Sequence, residues 1–245
     1  KSIVKYLQRQ HIDRFDYIIA THPHPDHVGG LAEVLKNFET DRIIMPCMEY
    51  TRNNYRDLVR LIEKKDIETI SPVAGTCYEF GRAYFTILAP NSDGYARLNN
   101  YSIVTKLTFK RNSFLFTGDA EKLSEYEMLI KGFDLKADLL KIGHHGSSTS
   151  SSLQFLNAVS PKHAVISTGR HSFYAHPDKI TLDNIDSIGA KIYRTDKSGN
   201  IVVLSDGKEM SIDTDSVPVG NDSFINRLNR RKVIMRIKER HRAIF

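Results

Sequence analysis

The segment "FDYIIATHPHPDHVGGLAEVL", residues 15–35, constrains this chain more than any other part of it. Its first part, 15–21, is a β-branched and aromatic run that reads as a strand. Apolar residues at Val28, Leu31, Val34, Leu35 and Phe38 predict a helix over 28–38, opening at Gly29 and Gly30. Between the two stand His22, His24, Asp26 and His27. Pro23 and Pro25 keep His22 and His24 out of a helix. In extended chain alternate side chains share a side, so those two imidazoles converge on one metal ion. Asp26 and His27 follow where the chain turns into the helix, in reach of a second ion. The C-terminal edge of a strand is where α/β proteins collect functional groups. Imidazole with carboxylate suits zinc, manganese or iron, and an open coordination position activates water.

The rest of the chain alternates strands and helices. Strands are expected over 41–46, 83–90, 101–110, 112–119 and 137–143, with 101–110 and 112–119 pairing across the Arg111-Asn112 turn. "KHAVIST", "AKIYRT" and "NIVVLS" read as strands too, the last two flanking a "DKSGN" turn. Helices are expected over 55–66 and 120–132, in "SSLQFLNAV", and in "DKITLDNIDSIG". This order favours a layered α/β domain with helices covering the sheets.

Composition sets further bounds. The 245 residues, 40% hydrophobic and 26% charged, suffice for one large domain or two small ones. No apolar run is long enough to cross a bilayer. "KSIVKYLQRQ" lacks the features of a signal peptide, and because the chain does not begin with Met, a signal or anchor would precede Lys1. Compartment and oligomeric state stay open. Cys47 and Cys77 are expected to be reduced, buried thiols rather than a disulfide. Residues 226–245 hold eight Lys and Arg against the single acid Glu239, so residues 1–225 hold 27 of the 35 basic and 28 of the 29 acidic residues. The +6 net charge therefore belongs to the tail, and the near-neutral body gives little support for a broad nucleic-acid surface.

"HPHPDH" after a strand resembles the HxHxDH signature of the metallo-β-lactamase fold superfamily. "SFLFTGDAE" resembles that superfamily's strand ending in Gly-Asp. "LLKIGHHGSSTSSS" and "GRHSFYAHPD" resemble one branch, the ComEC/Rec2-type hydrolase domain. The resemblance spans roughly residues 12–213. It implies an αββα sandwich over 1–215, lacking the N-terminal strands in which family domains carry D-x-G-Q-G-D and D-T-G elements, and followed by a basic tail over 216–245. A sheet without those strands exposes an edge, which a partner or a C-terminal segment would cover. Ile225, Leu228, Ile234 and Ile237 partly fit a helical stripe for that purpose; a solvated tail, or one contacting nucleic acid or an anionic membrane, is the alternative.

The resemblance also implies residue roles. His22 and His24 hold a first metal, Asp26 and His27 a second, and Asp119 bridges both. A histidine of "GHHGS" completes the second site, and the sequence does not choose between His144 and His145. His176 is a candidate proton donor or phosphate contact, with His171 a weaker one. Ser147 and Ser148 either cap the following helix or hold a phosphate. Many superfamily members have a further histidine upstream of the Gly-Asp aspartate. Here "RLNNYSIVTKL" stands in its place, making Asn100 and Ser102 candidates for the substrate edge, or else a plain turn, and weakening the first metal position. One or two ions, Zn2+ or Mn2+, are implied. Asp26, His145 and His176 are the candidate catalytic groups. The implied activity is metal-assisted hydrolysis of a phosphodiester, with DNA as the first substrate class, in the competence-related branch. The alternatives are a small-molecule phosphodiesterase, phosphocholine esterase or lactonase, or a non-catalytic nucleic-acid-binding domain.

Overall fold

The computed structural model describes residues 2–48, 50–169, 175–215 and 243–244. Strand β1, Arg14–Ile19, carries the apolar run of the opening segment, and its two faces serve two cores. Ile18 joins Leu35, Ile43 and Leu58 beneath helices α1 (Ser2–Arg9), α3 (Leu31–Asn37) and α4 (Asn53–Lys64). Ile19 joins Ile44, Phe85, Ile87 and Phe114 in a second cluster. A strand apolar on both faces belongs in a sheet covered on both faces. Each fully buried Leu or Ile there contributes about 1.5–3 kcal/mol of burial free energy.

β1 pairs in parallel with β2 (Glu39–Ile44), and β2 with β3 (Glu68–Ile70). The facing sheet has seven strands among the described residues. In chain order they are β4 (Cys77–Phe80), β5 (Ala83–Ala89), β6 (Val104–Phe109), β7 (Asn112–Phe116), β8 (Leu139–Lys141), β9 (His163–Ile166) and β10 (Lys191–Arg194), and neighbours in sequence are neighbours in space. β4 to β7 are antiparallel, with Phe109 opposite Asn112 across the expected turn. β7 to β10 are parallel. Helices α5 (Lys122–Ile130), α6 (Leu153–Val159) and α7 (Lys179–Ser187) cover the outer face through Met128, Phe155 and Ile185. The layers are thus α/β/β/α, as expected, with one core between the sheets and one under each helical layer.

Several local expectations differ. The helix predicted over 28–38 is two, α2 (Pro25–Val28) and α3, separated at Gly29-Gly30. β10 and β11 (Asn200–Ser205) do not form a hairpin. A short helix α8 (Thr195–Ser198) intervenes, pinned by Thr195 Oγ1, which accepts the Thr168 N–H and donates to the Thr168 carbonyl, both at 2.8 Å. β11 pairs instead with β12 (Met210–Asp215). Cys47 and Cys77 are unpaired as expected, but both are exposed rather than buried. The outer edge of β1 is paired over two residues by β13 (Ala243–Ile244), with Tyr17 opposite Ala243 and Ile18 opposite Ile244. The tail stripe at Ile225–Ile237 and His171 lie outside the described residues. No described helix is long and apolar enough to cross a membrane.

Candidate metal centre

The parallel strands β7, β8 and β9 end side by side, and the loops after them meet the loop after β1. The Ile103 N–H donates to the Thr21 carbonyl at 2.9 Å, tying the two sheets together at this edge. Between β7 and Asp119 the chain turns through Gly118 at φ +52°, where a Cβ would lie 3.1 Å from Ser102 and 3.2 Å from Thr21. Only glycine meets both demands easily. The result is that Asp119, 3% exposed, faces the histidines of the opening segment.

Asp119 uses both carboxylate oxygens. Oδ1 lies 3.2 Å from His27 Nε2 and 3.7 Å from His145 Nε2, while Oδ2 lies 3.6 Å from His22 Nε2. His145 Nε2 is also 3.2 Å from Asp26 Oδ2, and His22 Nε2 is 3.1 Å from His24 Nδ1. Two groups of donor atoms result, Asp26–His27–Asp119–His145 and His22–His24–Asp119, each with its atoms within 4.8 Å of one another. Asp119 belongs to both.

The donor set fits divalent cations. His27 Nε2 is buried and, apart from the charge contact with Asp119, has no hydrogen-bond partner of good geometry among the described residues, a costly state for a polar atom unless a cation takes its lone pair. His145 Nδ1 donates to the Ser167 carbonyl at 2.9 Å, which turns Nε2 toward the carboxylates, where a bound cation would replace its proton. His22 Nδ1 lies 3.2 Å from Thr21 Oγ1 and 3.3 Å from Ser102 Oγ, which fixes the ring with its Nε2 toward Asp119 and His24. Burial, with His27 close by, pushes the His22 imidazole down to about 3, so it is the neutral, ligating form at physiological pH. Burial raises the Asp119 carboxyl, but His27, His22 and His145 around it overcome this and hold it well below the usual carboxylate range. The hydrogen bond with His145 holds Asp26 down to about 2 and raises His145 in return.

His144 sits in neither group. Its Nε2 accepts from Asn99 Nδ2 at 3.3 Å and its Nδ1 donates to Thr149 Oγ1 at 2.8 Å, so both ring nitrogens are occupied. Both histidines have left-handed backbones, φ 47° for His144 and 55° for His145, a strained state for non-glycine residues that is often found at functional sites. His176 stays outside the donor groups as well: its ring centroid is 5.9 Å from that of His144, and its Nδ1 is 3.2 Å from Asp178 Oδ1.

Asn100 and Ser102, expected at the substrate edge, are buried behind the donor groups. Asn100 Oδ1 accepts the Glu121 N–H at 3.2 Å, and Ser102 Oγ accepts the Asp119 N–H at 3.0 Å. Ser147 and Ser148 do not cap α6; Ser152 does, accepting from the Phe155 N–H at 3.3 Å. Ser147 Oγ accepts from the Thr149 N–H at 3.3 Å, and the Ser148 N–H donates to Asp178 Oδ2 at 2.7 Å.

Four participants escaped the sequence reading. Asn99, Thr149 and the buried Glu121 brace His144, and the Ser167 carbonyl orients His145. Only Glu121, an acid directly after Gly-Asp-Ala, left a trace in the sequence.

A family model described as the metallo-beta-lactamase superfamily matches residues 2–46, the stretch that holds "HPHPDH". The chain is 29% identical over 201 residues to ComE operon protein 3 of Bacillus subtilis, covering 82% of this chain and 26% of that protein. It is 30% identical over 202 residues to Recombination protein 2 of Haemophilus influenzae, covering 82% of this chain and 24% of that one. The chain thus spans about a quarter of the length of these relatives. Among solved structures, CmlA, a diiron beta-hydroxylase from Streptomyces venezuelae, shares the fold with a TM-score of 0.53 at 16% identity, over 74% of this chain and 44% of that one. The chain belongs to the metallo-β-lactamase fold superfamily and is similar, over 82% of its length, to one region of the ComEC/Rec2-type competence proteins.

Proposed function

We propose that the domain, residues 1–215, is a phosphodiesterase acting on DNA, with two divalent cations, Zn2+ or Mn2+, held on either side of Asp119. The carrying observation is the carboxylate of Asp119 with one oxygen toward His27 and His145 and the other toward His22. Asp26, His27, Asp119 and His145 would hold one ion; His22, His24 and Asp119 the other. Four donor groups against three make the second position the weaker. Bound there, such ions polarise a phosphoryl oxygen and activate water.

The chain's own residues set the orientation. The Asp26 side chain is 60% exposed and tethered to His145, so it stands at the open side of the cluster, where it aligns an incoming water. His176, its ring 5.9 Å from that of His144, would hydrogen-bond a phosphoryl or leaving oxygen, while His144, with both nitrogens held by Asn99 and Thr149, supports the loop. DNA as the substrate class is supported by similarity to proteins named for recombination and competence.

A second reading, a small phosphodiester substrate, is favoured by the near-neutral body, since a nuclease groove is ordinarily basic. A fluorescent oligonucleotide compared with bis-p-nitrophenyl phosphate separates the two. Oligonucleotide cleavage that disappears in Asp26→Ala is the expected result. Turnover of the small ester alone would exclude DNA, and no turnover of either by the metal-loaded protein would exclude both.

A further inference from the structure

One charged side chain near this centre has no assigned role. Lys141 ends β8, the central member of the three parallel strands that deliver Asp119, His145 and the Ser167 carbonyl. Leu139 of the same strand faces the core between the sheets, and Leu140 faces the helical layer. By alternation Lys141 shares the inner face with Leu139. Its register partners are Phe116 on β7 and Val165 on β9, both packed at that inner core. A cation is therefore planted among apolar neighbours directly below the metal-ligand loops. Its Nζ donates to the Ile142 carbonyl at 3.3 Å, so the side chain turns toward the strand end and the His144-His145 loop. No carboxylate among the described residues forms an ion pair with it. Burial pulls the ammonium down to about 8, opposed by the charge of Asp119, and its own charge acts on His145.

A half-buried ammonium without a counter-ion destabilises the fold. A lysine kept in that state beside a cluster of ligands is suited to an anion that arrives later. We propose that Lys141 is an anion-binding side chain of this site, whose ammonium receives a non-bridging oxygen of the phosphoryl group presented to the metal centre. This rests on the phosphodiester reading of the site and adds the residue that recognises the phosphoryl charge. Lys141 makes no bond to the reacting atoms; it positions the group and neutralises its charge. A simple counter-charge to Asp119 is the competing role. Its removal would change metal uptake and leave anion binding alone.

The test is calorimetric titration of inorganic phosphate into the metal-loaded protein, for the wild type, Lys141→Met and Lys141→Arg, with metal content and thermal midpoint measured on the same samples. Lys141→Met keeps the length and loses the charge. It is expected to weaken phosphate binding by roughly ten- to a hundredfold, the range of a charge-assisted hydrogen bond. Metal content should be unchanged and the thermal midpoint equal or higher, because an unpaired, half-buried charge is gone. Lys141→Arg should recover part of the affinity. Phosphate binding within twofold of wild type in Lys141→Met, or no binding by the wild type, overturns the proposal. So does lost binding that merely tracks lost metal or lost folding. The readout does not depend on turnover: a protein that binds phosphate through Lys141 yet cleaves no diester sinks the functional reading and leaves this inference standing.

Discussion

Replacing Ser102 with alanine tests whether the metal centre is held from behind as described. Ser102 is 0% exposed, and its one hydroxyl serves two partners. It accepts the Asp119 N–H at 3.0 Å and lies 3.3 Å from His22 Nδ1. In Ser102→Ala the Asp119 N–H is left buried and unsatisfied, which costs about 1–3 kcal/mol. For a domain of this size that lowers the thermal midpoint by roughly 2–12 °C. The imidazole of His22 also loses an anchor that fixes the orientation of its ring, and the loss of such partners weakens metal binding by roughly 10–100-fold. The assay is a chelator-competition titration alongside a thermal melt. Ser150→Ala is the control: Ser150 is equally buried and donates to the Ala120 carbonyl at 2.7 Å, but touches no proposed ligand. The control should lose stability and keep metal affinity. If Ser102→Ala behaves like the control, with affinity at the His22–His24 position unchanged, the reasoning fails.

Other outcomes follow from the same structure. His22, neutral down to about 3 when folded, titrates near its ordinary value of 6.5 when unfolded. Below about pH 6.5 the unfolded chain therefore binds a proton that the folded chain does not. Stability of the metal-free protein falls as pH drops toward about 3, by up to ~1.4 kcal/mol per pH unit from this group. Urea midpoints against pH should show this slope, and His22→Gln should flatten it; parallel slopes would dismiss the assignment. Gly146 has φ +88°, and a Cβ there would lie 2.5 Å from Pro177 Cβ. Gly146→Ala should lose about 2–5 kcal/mol from left-handed strain and overlap together, read by chemical denaturation. Ser152→Ala removes the cap of α6 and should cost ~1 kcal/mol without altering metal content.

Much of this architecture was legible in the sequence wherever an element carried its own apolar pattern. β1, β2, β5 to β7 and β9 carry β-branched and aromatic residues, β8 is a short apolar run, and the β6–β7 hairpin was readable from the Arg111-Asn112 turn. β3 and β4 escaped because Glu68–Ile70 and Cys77–Phe80 are short and largely exposed, so packing against neighbours rather than composition makes them strands. α1 escaped because only Val4 and Leu7 of its face are buried. The donor residues were legible because each lies just after a strand, and strand ends are readable. Their support was not: Thr149, Asn99 and the Ser167 carbonyl act through contacts between distant parts of the chain. Ser102 was expected at the substrate edge, with a plain turn at Asn99-Asn100 as the alternative. It is buried because the 3-10 turn Leu98–Tyr101 folds back against Thr21 and Gly118. Lys141 was visible as a lone charge in "LLKIG", but its face became clear only from the register with Phe116 and Val165.

The most direct test of the centre is an anomalous-scattering map from crystals grown with Mn2+. The account predicts density on both sides of Asp119, stronger among Asp26, His27 and His145 and weaker beside His22 and His24, with His144 coordinating neither ion. A map with no peak at Asp119, or with His144 in the place of His145, would contradict it.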